Sequence, residues 1–221
     1  MKPLEARGLH RFYRRGGNEV GALLDVTLTC EVGETVAVTG PSGSGKSTLL
    51  GLLAGLDNPD GGSVHVAGQR LSHQSPAVSA RLRAQHIGVL TQSSGLLGHL
   101  SVLENVRFAA SLRDGPGPAP DELLDGLGLY AVRRSNPRTL SGGETARAGL
   151  AVALAGAPAV LLADEPTAEV SSDEEHTILE LLRQWRPHDG ATVIVTHSLA
   201  VAARADRIVH LIDGRLNKAV A

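Results

Sequence analysis

The chain has 221 residues, with 21 Lys and Arg against 23 Asp and Glu, a formal net charge of -2 and a single cysteine. This length suits one domain, or one domain with an inserted subdomain, and the near-neutral charge without a long basic run argues against a general nucleic-acid binder. One cysteine forms no internal disulfide, and the first residues lack an apolar signal segment, so we expect a soluble cytoplasmic protein with no direct membrane insertion.

Short β-branched runs alternate with helical patterns along the chain, which predicts an α/β fold. Four of the runs are uninterrupted apolar stretches, as expected of parallel strands that are covered on both faces. A helix-rich segment from about 96 to 140, broken by a loop at 114–120, predicts an inserted helical subdomain. The predicted strands are 35–40, 63–68, 87–92, 159–165, 192–197 and 207–214, and the predicted helices are 46–56, 102–112, 121–127, 143–155, 173–184 and 200–204.

The stretch TGPSGSGKST, here called the glycine loop (residues 39–48), joins the first predicted strand to the first predicted helix. It fits the pattern G-x-x-x-x-G-K-[ST] at Gly40, Gly45, Lys46 and Ser47, in which backbone amides hold phosphates, the lysine reaches the outer phosphates and the hydroxyl ligates Mg²⁺. The following helix directs its positive end at the same anion. A plain glycine-rich turn is the alternative, and the strand–loop–helix setting favours nucleotide binding.

Two adjacent acids follow the apolar run Val160–Ala163. Asp164 closes this predicted strand where it can orient a Mg²⁺ shell, and Glu165 comes next, able to accept a proton from an attacking water. The alternative is that both acids are simply the first residues of a helix before Pro166. The glycine loop upstream favours the functional interpretation.

Three further features have no obvious structural reason in the sequence. The signature segment (residues 140–144, LSGGE) places Ser141 and two glycines at the start of a predicted helix, which would make a second anion site. His197 and Gln92 end two predicted strands at the edge where doubly wound sheets bind ligands. A capping or core histidine and an ordinary strand terminus remain the alternatives for these two residues.

In this order, the motifs resemble those of the ATP-binding subunit of an ABC transporter, over essentially the whole chain. They are the Walker A segment GPSGSGKST, a Q-loop at Gln92, the signature LSGGE, the Walker B segment VLLADEPT and a switch histidine in VTHS. The finer resemblance, in LLGHLSVLENV, VAARADRIVHLIDGRL and FYRRG, is to the macrolide-export, lipoprotein-release and cell-division-homologue type.

The resemblance implies a P-loop NTPase fold with a mainly parallel central sheet, an antiparallel β edge and an inserted α-helical subdomain. Residues 1–221 would form one domain, in which 1–95 and 157–221 make a RecA-like core with an N-terminal β part. Residues about 96–156 would make the helical subdomain that carries the signature segment.

The resemblance also implies partners and residue roles. Two copies would pack head to tail, each ATP lying between the Walker A segment of one and the signature of the other, and the pair would drive a separate membrane permease from the inner face of the membrane. Tyr13 would stack on adenine, an ordinary surface tyrosine being the alternative. The implied catalytic residues are Glu165, His197, Lys46 and Gln92; ATP would contact Tyr13, Gly40, Pro41, Ser42, Gly43, Ser44, Gly45, Lys46, Ser47, Thr48, Ser141, Gly142 and Gly143; Mg²⁺ would be held by Ser47, Gln92 and Asp164.

The sequence departs from the family pattern at several positions. Ser171 stands where the D-loop has an aspartate, which puts the hydrolysis rate in doubt, and the signature ends in Glu144 rather than Gln. The usual QQR reads TAR, which leaves only Arg147, while Ser198 and Thr91 also replace usual residues. Since the lysine, both acids and the switch histidine are kept, we expect a hydrolase.

Other functions remain open. A soluble ABC-type ATPase acting on ribosomes or DNA is disfavoured because the chain has one motif set and no sustained heptads. A P-loop kinase or GTPase would not explain the signature, and Asn217–Val220 lacks the aspartate of a guanine-reading motif. A regulatory subunit that binds ATP but hardly hydrolyses it is the third alternative, motivated by Ser171. The sequence identifies neither the permease nor the transported substrate.

Overall fold

The structure is a computed structural model that describes residues 1–16, 18–93, 95–187 and 189–218. Ala219 and Val220, part of the stretch compared above with a guanine-reading motif, lie outside the described residues. The strands are β1 (Leu4–Arg15), β2 (Asn18–Cys30), β3 (Thr35–Thr39), β4 (Gly61–Val66), β5 (Gln69–Arg70), β6 (Ile87–Leu90), β7 (Val160–Asp164), β8 (Ala191–Val195), β9 (Arg207–Ile212) and β10 (Arg215–Lys218). The helices are α1 (Lys46–Leu53), α2 (Pro76–His86), α3 (Val102–Ser111), α4 (Pro120–Gly126), α5 (Gly142–Leu154), α6 (Ser172–Gln184) and α7 (Leu199–Ala202), with a 3₁₀ turn at Pro137–Thr139.

A six-stranded sheet forms the centre of the fold, in the order β10-β9-β3-β8-β7-β6. All neighbours in it run parallel except β9 and β10, which are antiparallel. Every residue of β3 and β8 is buried, which explains their continuous apolar sequences, since a parallel strand is covered on both faces. The predicted α/β fold with a mainly parallel sheet is therefore confirmed.

A second, antiparallel sheet has the order β2-β1-β4-β5. Its two long strands, β1 and β2, were not predicted, because polar residues interrupt their apolar residues and leave no continuous apolar run. Register shifts interrupt the pairing of β1 with β2. The run predicted at 63–68 belongs to this sheet as β4 rather than to the central one. This sheet is the antiparallel edge that the family resemblance implied.

Two hydrophobic clusters lie on opposite faces of the central sheet. The first packs the leucines of α1 against the antiparallel sheet and includes Val160 and Leu162 of β7. The second joins α3, α4, α5 and α6 and includes Leu161 and Ala163 of the same strand. The alternation of β7 side chains between the two clusters follows from the two-residue period of a strand.

The helices begin and end within a few residues of their predicted positions, except α2, which was missed. It starts at the Ser75 cap, whose side chain accepts from the Val78 amide at 3.4 Å, and at Pro76 in the first turn, but it buries only Leu82. One buried position gives little helical periodicity. Within the described residues, no helix combines the length and apolar character needed to cross a membrane. The predicted division at residues 96 and 156 stays a prediction.

Candidate nucleotide site

The glycine loop turns between β3 and α1 in a conformation that depends on its glycines. Gly45 precedes α1 with φ of 105°, and no side chain caps the first turn of that helix. A Cβ atom on Gly45 would come closer than 3.0 Å to the Ala22 carbonyl oxygen, and one on Gly40 equally close to that of Leu211. The loop therefore packs directly against neighbouring backbone, and its helix leaves its first amides for a ligand.

Lys46 and Ser44 fix the two sides of this loop. The Lys46 ammonium donates to the carbonyl oxygens of Gly40 at 2.8 Å and of Pro41 at 2.9 Å. The Ser44 carbonyl accepts from the Gly214 amide at 3.2 Å, in the turn between β9 and β10. The Ser44 hydroxyl is buried with no partner among the described residues. A positive charge thus lies inside the loop.

The two predicted acids stand at the end of β7, next to the glycine loop. Burial, and after it the neighbouring Glu165 carboxylate, raise the pKa of Asp164, while the Lys46 ammonium offsets part of this rise. Glu165 has φ of 46°, a left-handed conformation that costs a residue with a side chain about 1 kcal/mol or more. Backbone strain of this kind often occurs at functional sites.

Three donors hold the Glu165 carboxylate in place. Its Oε1 accepts from the His197 amide at 3.0 Å and lies 2.7 Å from His197 Nδ1, and its Oε2 accepts from the Thr196 hydroxyl at 2.9 Å. Because a carboxylate only accepts, Nδ1 carries the hydrogen and Nε2 stays available to a ligand. Thr196, only 1% exposed, was missed in the sequence, although it stands between an apolar strand and the predicted histidine.

These groups surround one cavity of about 460 Å³. That volume is within the usual range of small-molecule sites, about 300–1,000 Å³. Two residues not predicted from the sequence, Ala22 and Val195, also line it. The predicted residues that line it are Tyr13, Ser42, Gly43, Gly45, Lys46, Ser47, Thr48, Gln92, Asp164, Glu165 and His197.

The donor set of this cavity suits a triphosphate and a hard cation. Free helix amides and an ammonium group face the phosphate side. A hydroxyl at Ser47, an amide oxygen at Gln92 and a carboxylate at Asp164 offer the oxygen ligands that Mg²⁺ prefers. No cluster of three His, Cys, Asp or Glu residues occurs among the described residues, so the cation would rely on the phosphates as well.

The signature segment lies at the start of α5 and does have a structural role, contrary to the expectation above. The Ser141 hydroxyl accepts from the Glu144 amide at 3.2 Å, and the Glu144 carboxylate accepts from the Ser141 amide at 2.8 Å. The same capping box occurs at α3 with Ser101 and Glu104. A serine and an acid three residues later are thus explained by helix capping alone.

The two signature glycines are explained in part by packing against the segment after β7. A Cβ on Gly142 would lie 2.8 Å from the Glu169 carbonyl oxygen, and one on Gly143 would collide with the Glu174 carboxylate. Arg147 stands 3.9 Å from the same carboxylate. Ser171, at the D-loop position, caps α6 by accepting from the Glu174 amide at 3.4 Å. The signature segment is therefore held in place by contacts within the same chain.

Comparisons with known proteins agree on one family. Residues 23–168 match the protein family described as ABC transporter. The uncharacterized ABC transporter ATP-binding protein YbbA of Escherichia coli K12 is 42% identical over 97% of this chain and 96% of its own length. The macrolide export ATP-binding/permease protein MacB of Rhodopirellula baltica is 41% identical over 96% of this chain but only 32% of its own length. The chain belongs to the ABC transporter ATP-binding proteins.

A solved structure supports the same assignment. The ATP-binding cassette MJ0796, in a dimeric post-hydrolysis state bound to ADP and Pi, is 30% identical to the chain, with a TM-score of 0.88 and 99% coverage of both chains. The family resemblance is thereby confirmed, and this protein is an ABC-type ATPase that binds ATP.

The structure does not bring all predicted residues of this ABC ATPase together. Gly40, Pro41 and Ser44 form the loop behind the cavity instead of lining it. Ser141, Gly142 and Gly143 lie outside the cavity altogether, and the first two are exposed. Gln92 lines the nucleotide cavity and also a smaller one, of about 150 Å³, that Gly142 borders. In one chain the nucleotide cavity and the signature segment are therefore formed separately.

Proposed function

We propose that two copies of this ABC ATPase clasp ATP head to tail and thereby drive a separate membrane permease. The observation that carries this proposal is the separation just described, in which the cavity and the signature segment are both formed but do not meet in one chain. A C2 pair supplies the missing side twice, because each copy gives its signature to the other's cavity. The dimeric form of the related cassette MJ0796 supports this arrangement.

In the proposed complex, different groups of the chain bind different parts of the nucleotide. The amides of the glycine loop and the Lys46 ammonium bind the phosphate oxygens, the ammonium exchanging its two loop carbonyls for them. Ser47, Gln92 and Asp164 would hold Mg²⁺, which when bound neutralises charge on the phosphates. The Tyr13 ring, which lines the cavity, would stack on adenine.

Hydrolysis would rest on Glu165 and His197. The Glu165 carboxylate is held by the Thr196 hydroxyl and the His197 amide, so that it can orient a water molecule and accept its proton. The His197 ring is held by the same carboxylate through Nδ1, which aims Nε2 at the terminal phosphate. Catalysis is then chiefly positioning and charge stabilisation.

The decisive experiment mixes two inactive variants. Lys46→Ala removes the phosphate grip and Ser141→Ala removes the signature hydroxyl, so each alone should release little phosphate. In a head-to-tail dimer of one of each, one site is intact, and a 1:1 mixture should recover roughly a quarter of the normal rate if both assort at random. No recovery on mixing would contradict action of the signature on the partner's ATP.

A matched variant separates capping from catalysis. Ser101→Ala breaks the same capping box at α3, so Ser101→Ala and Ser141→Ala should each lower the free energy of unfolding by about 1 kcal/mol. Only Ser141→Ala should abolish ATP-dependent dimerisation in the Glu165→Gln background, measured by sedimentation. Equal loss of the dimer in both variants would mean that stability, not ligand contact, is the cause.

Two observations support a membrane permease as the partner: the names of related proteins and one exposed apolar surface. The chain matches about a third of MacB, whose name joins ATP-binding and permease functions in one protein. At the end of α3, Phe108 and the capping residue Leu112 are 48% and 54% exposed and lie four positions apart, which leaves two apolar side chains free to contact a partner. The role would be export, lipid or lipoprotein extraction, or mechanotransmission at the inner face of the membrane.

Co-purification from native membranes tests this role. We expect the chain to bring down an integral membrane protein, and the double variant Phe108→Ser, Leu112→Ser to lose it while keeping phosphate release. Recovery of ribosomes or nucleoid instead would support the soluble alternative and contradict the permease.

Ser171 favours one second candidate, a regulatory subunit that binds ATP but hydrolyses it very slowly. Serine caps α6 as an aspartate would, but it brings no charge to the D-loop. Phosphate release from the unaltered chain should exceed that of Glu165→Gln by at least about a hundredfold if hydrolysis is the function. Equal rates near background would support the regulatory role.

A further inference from the structure

Arg11 lies against the Tyr13 ring, on the same strand. Its guanidinium carbon is 4.9 Å from the ring centroid, within the range of a cation–π contact. The two residues are two positions apart in β1, which puts their side chains on the same face. Register shifts interrupt the pairing of β1 with β2 on both sides of Arg11, and irregularities of this kind often lie next to functional sites.

Two carboxylates hold the guanidinium in this position. Arg11 forms ion pairs with Asp57 at 2.7 Å and with Asp60 at 3.0 Å, and the second oxygen of Asp60 accepts from the Phe12 amide at 2.7 Å. Arg11 is half-buried, whereas Tyr13 is exposed. The arginine is thus the fixed partner of the pair, and the tyrosine is the exposed one.

Tyr13 lines the nucleotide cavity and Arg11 does not. The guanidinium thus contacts the ring without lining the cavity. We propose that Arg11 is a positioning residue for the nucleotide base: it holds the Tyr13 ring as a fixed plate and leaves its other face for adenine. This inference rests on the proposed function, because it assigns a support to the adenine contact of that site.

Two physical effects favour this stack. A ring that is already held loses less rotational freedom when the base binds, so less of the binding free energy is spent on ordering it. The cation also draws on the negative face of the ring, and this favours stacking of an electron-rich purine on the opposite face. Both effects act on the base and not on the phosphates.

The competing explanation is that Arg11 merely ties β1 to the segment around Asp57 and Asp60. Such a tie would affect the whole cavity, including the glycine loop. The two explanations differ in which part of the nucleotide they influence, so ligands with and without a base separate them.

The experiment measures dissociation constants of magnesium ADP and magnesium pyrophosphate, both by displacement of a bound fluorescent nucleotide. Arg11→Met, which keeps an apolar stem, should weaken ADP binding about fivefold and change pyrophosphate binding less than about twofold. Arg11→Lys keeps a charge for both carboxylates and should fold normally, with an intermediate loss for ADP. Arg7→Met, which removes the same charge elsewhere on β1, should change neither.

A double-mutant cycle completes the test. In the Tyr13→Ala background, Arg11→Met should weaken ADP binding by less than about twofold further, because the ring through which it acts is gone. Equal weakening of both ligands, or the full fivefold loss without the ring, would overturn the inference and leave the proposed function intact. If the unaltered chain bound neither ligand, the proposed nucleotide site itself would be wrong.

Discussion

The starts of α1 and α5 are both rich in serine and glycine, yet they satisfy their free amides in opposite ways. At α1 the residue before the helix is Gly45, in a left-handed conformation, and no side chain caps the first turn. At α5 Ser141 and Glu144 complete a capping box within the chain. The first amides of α1 are thus left free for an anion, whereas those of α5 are partly satisfied within the chain. This contrast favours one copy binding ATP and the other closing over it.

The two regions also differ in what surrounds their glycines. Gly40 and Gly45 face backbone carbonyl oxygens, which cannot move without distorting a strand. Gly143 faces the end of the Glu174 side chain, which can rotate away. Gly142, like the loop glycines, faces a backbone carbonyl oxygen, so we expect Gly40 and Gly45 to be intolerant of substitution and Gly143 to be tolerant in stability but not in function.

The largest effect is expected from Gly40→Ala. Its methyl group would collide with the Leu211 carbonyl oxygen, and overpacking of this kind should lower the free energy of unfolding by about 3 kcal/mol. Urea unfolding measures the change. Gly43→Ala is the matched control, because a Cβ there meets no atom within 4 Å, although its φ of 80° adds some strain. Equal losses in both variants would show that conformation, not close packing, limits the loop.

The next largest effect is expected from Thr196→Val, which tests the contribution of the strands beside the glycine loop to the nucleotide site. Loss of the hydroxyl that donates to Glu165 should lower the rate of phosphate release about tenfold, which corresponds to about 1.4 kcal/mol. Thr192→Val, in the strand β8 that ends just before Thr196, is the control, because the Thr192 hydroxyl is buried with no partner among the described residues. An unchanged rate in Thr196→Val would remove this residue from the site.

Gly143→Ala tests the tolerance of the signature segment. The free energy of unfolding should change by less than about 1 kcal/mol, because the Glu174 carboxylate can rotate away and alanine favours a helix over glycine. ATP binding to the single chain should be unchanged, and ATP-dependent dimerisation should weaken. A loss of stability as large as that of Gly40→Ala would contradict the contrast between the two regions.

The smallest effect is expected on the labelling of Cys30. Burial, and after it the charge of Glu34, raise the pKa of this thiol to about 12, so it should not react with iodoacetamide at pH 8 while the first cluster stays closed. Cys30 shares that cluster with the leucines of α1 and not with α5. Gly40→Ala should therefore accelerate labelling and Gly143→Ala should not. Equal acceleration would mean that the two clusters open together.

Much of the fold is predictable from the sequence, because the buried parallel strands are short continuous apolar runs. β3, β7 and β8 were found within one or two residues for this reason. β1 and β2 were not found, because one face of an antiparallel strand is exposed and bulges break the alternation. Tertiary context, not local pattern, determines these strands.

The candidate site was predictable where a motif carries its own geometry. The glycine loop and the acids after β7 lie together as their patterns predict. The hold of Thr196 on Glu165 was not predictable, because it joins the ends of two strands that are distant in sequence. The capping role of Ser141 was available from the spacing to Glu144, which is the same as that of Ser101 and Glu104.

The strand β7 lies between the two hydrophobic clusters, and its last residue is Asp164. Val160 and Leu162 face one compartment, and Leu161 faces the other. Because protein interiors are close-packed, a change of packing in either cluster would displace the side chains of β7. Asp164 ends this strand and Glu165 follows it, so a change of packing on either side of β7 would act directly on the position of both acids.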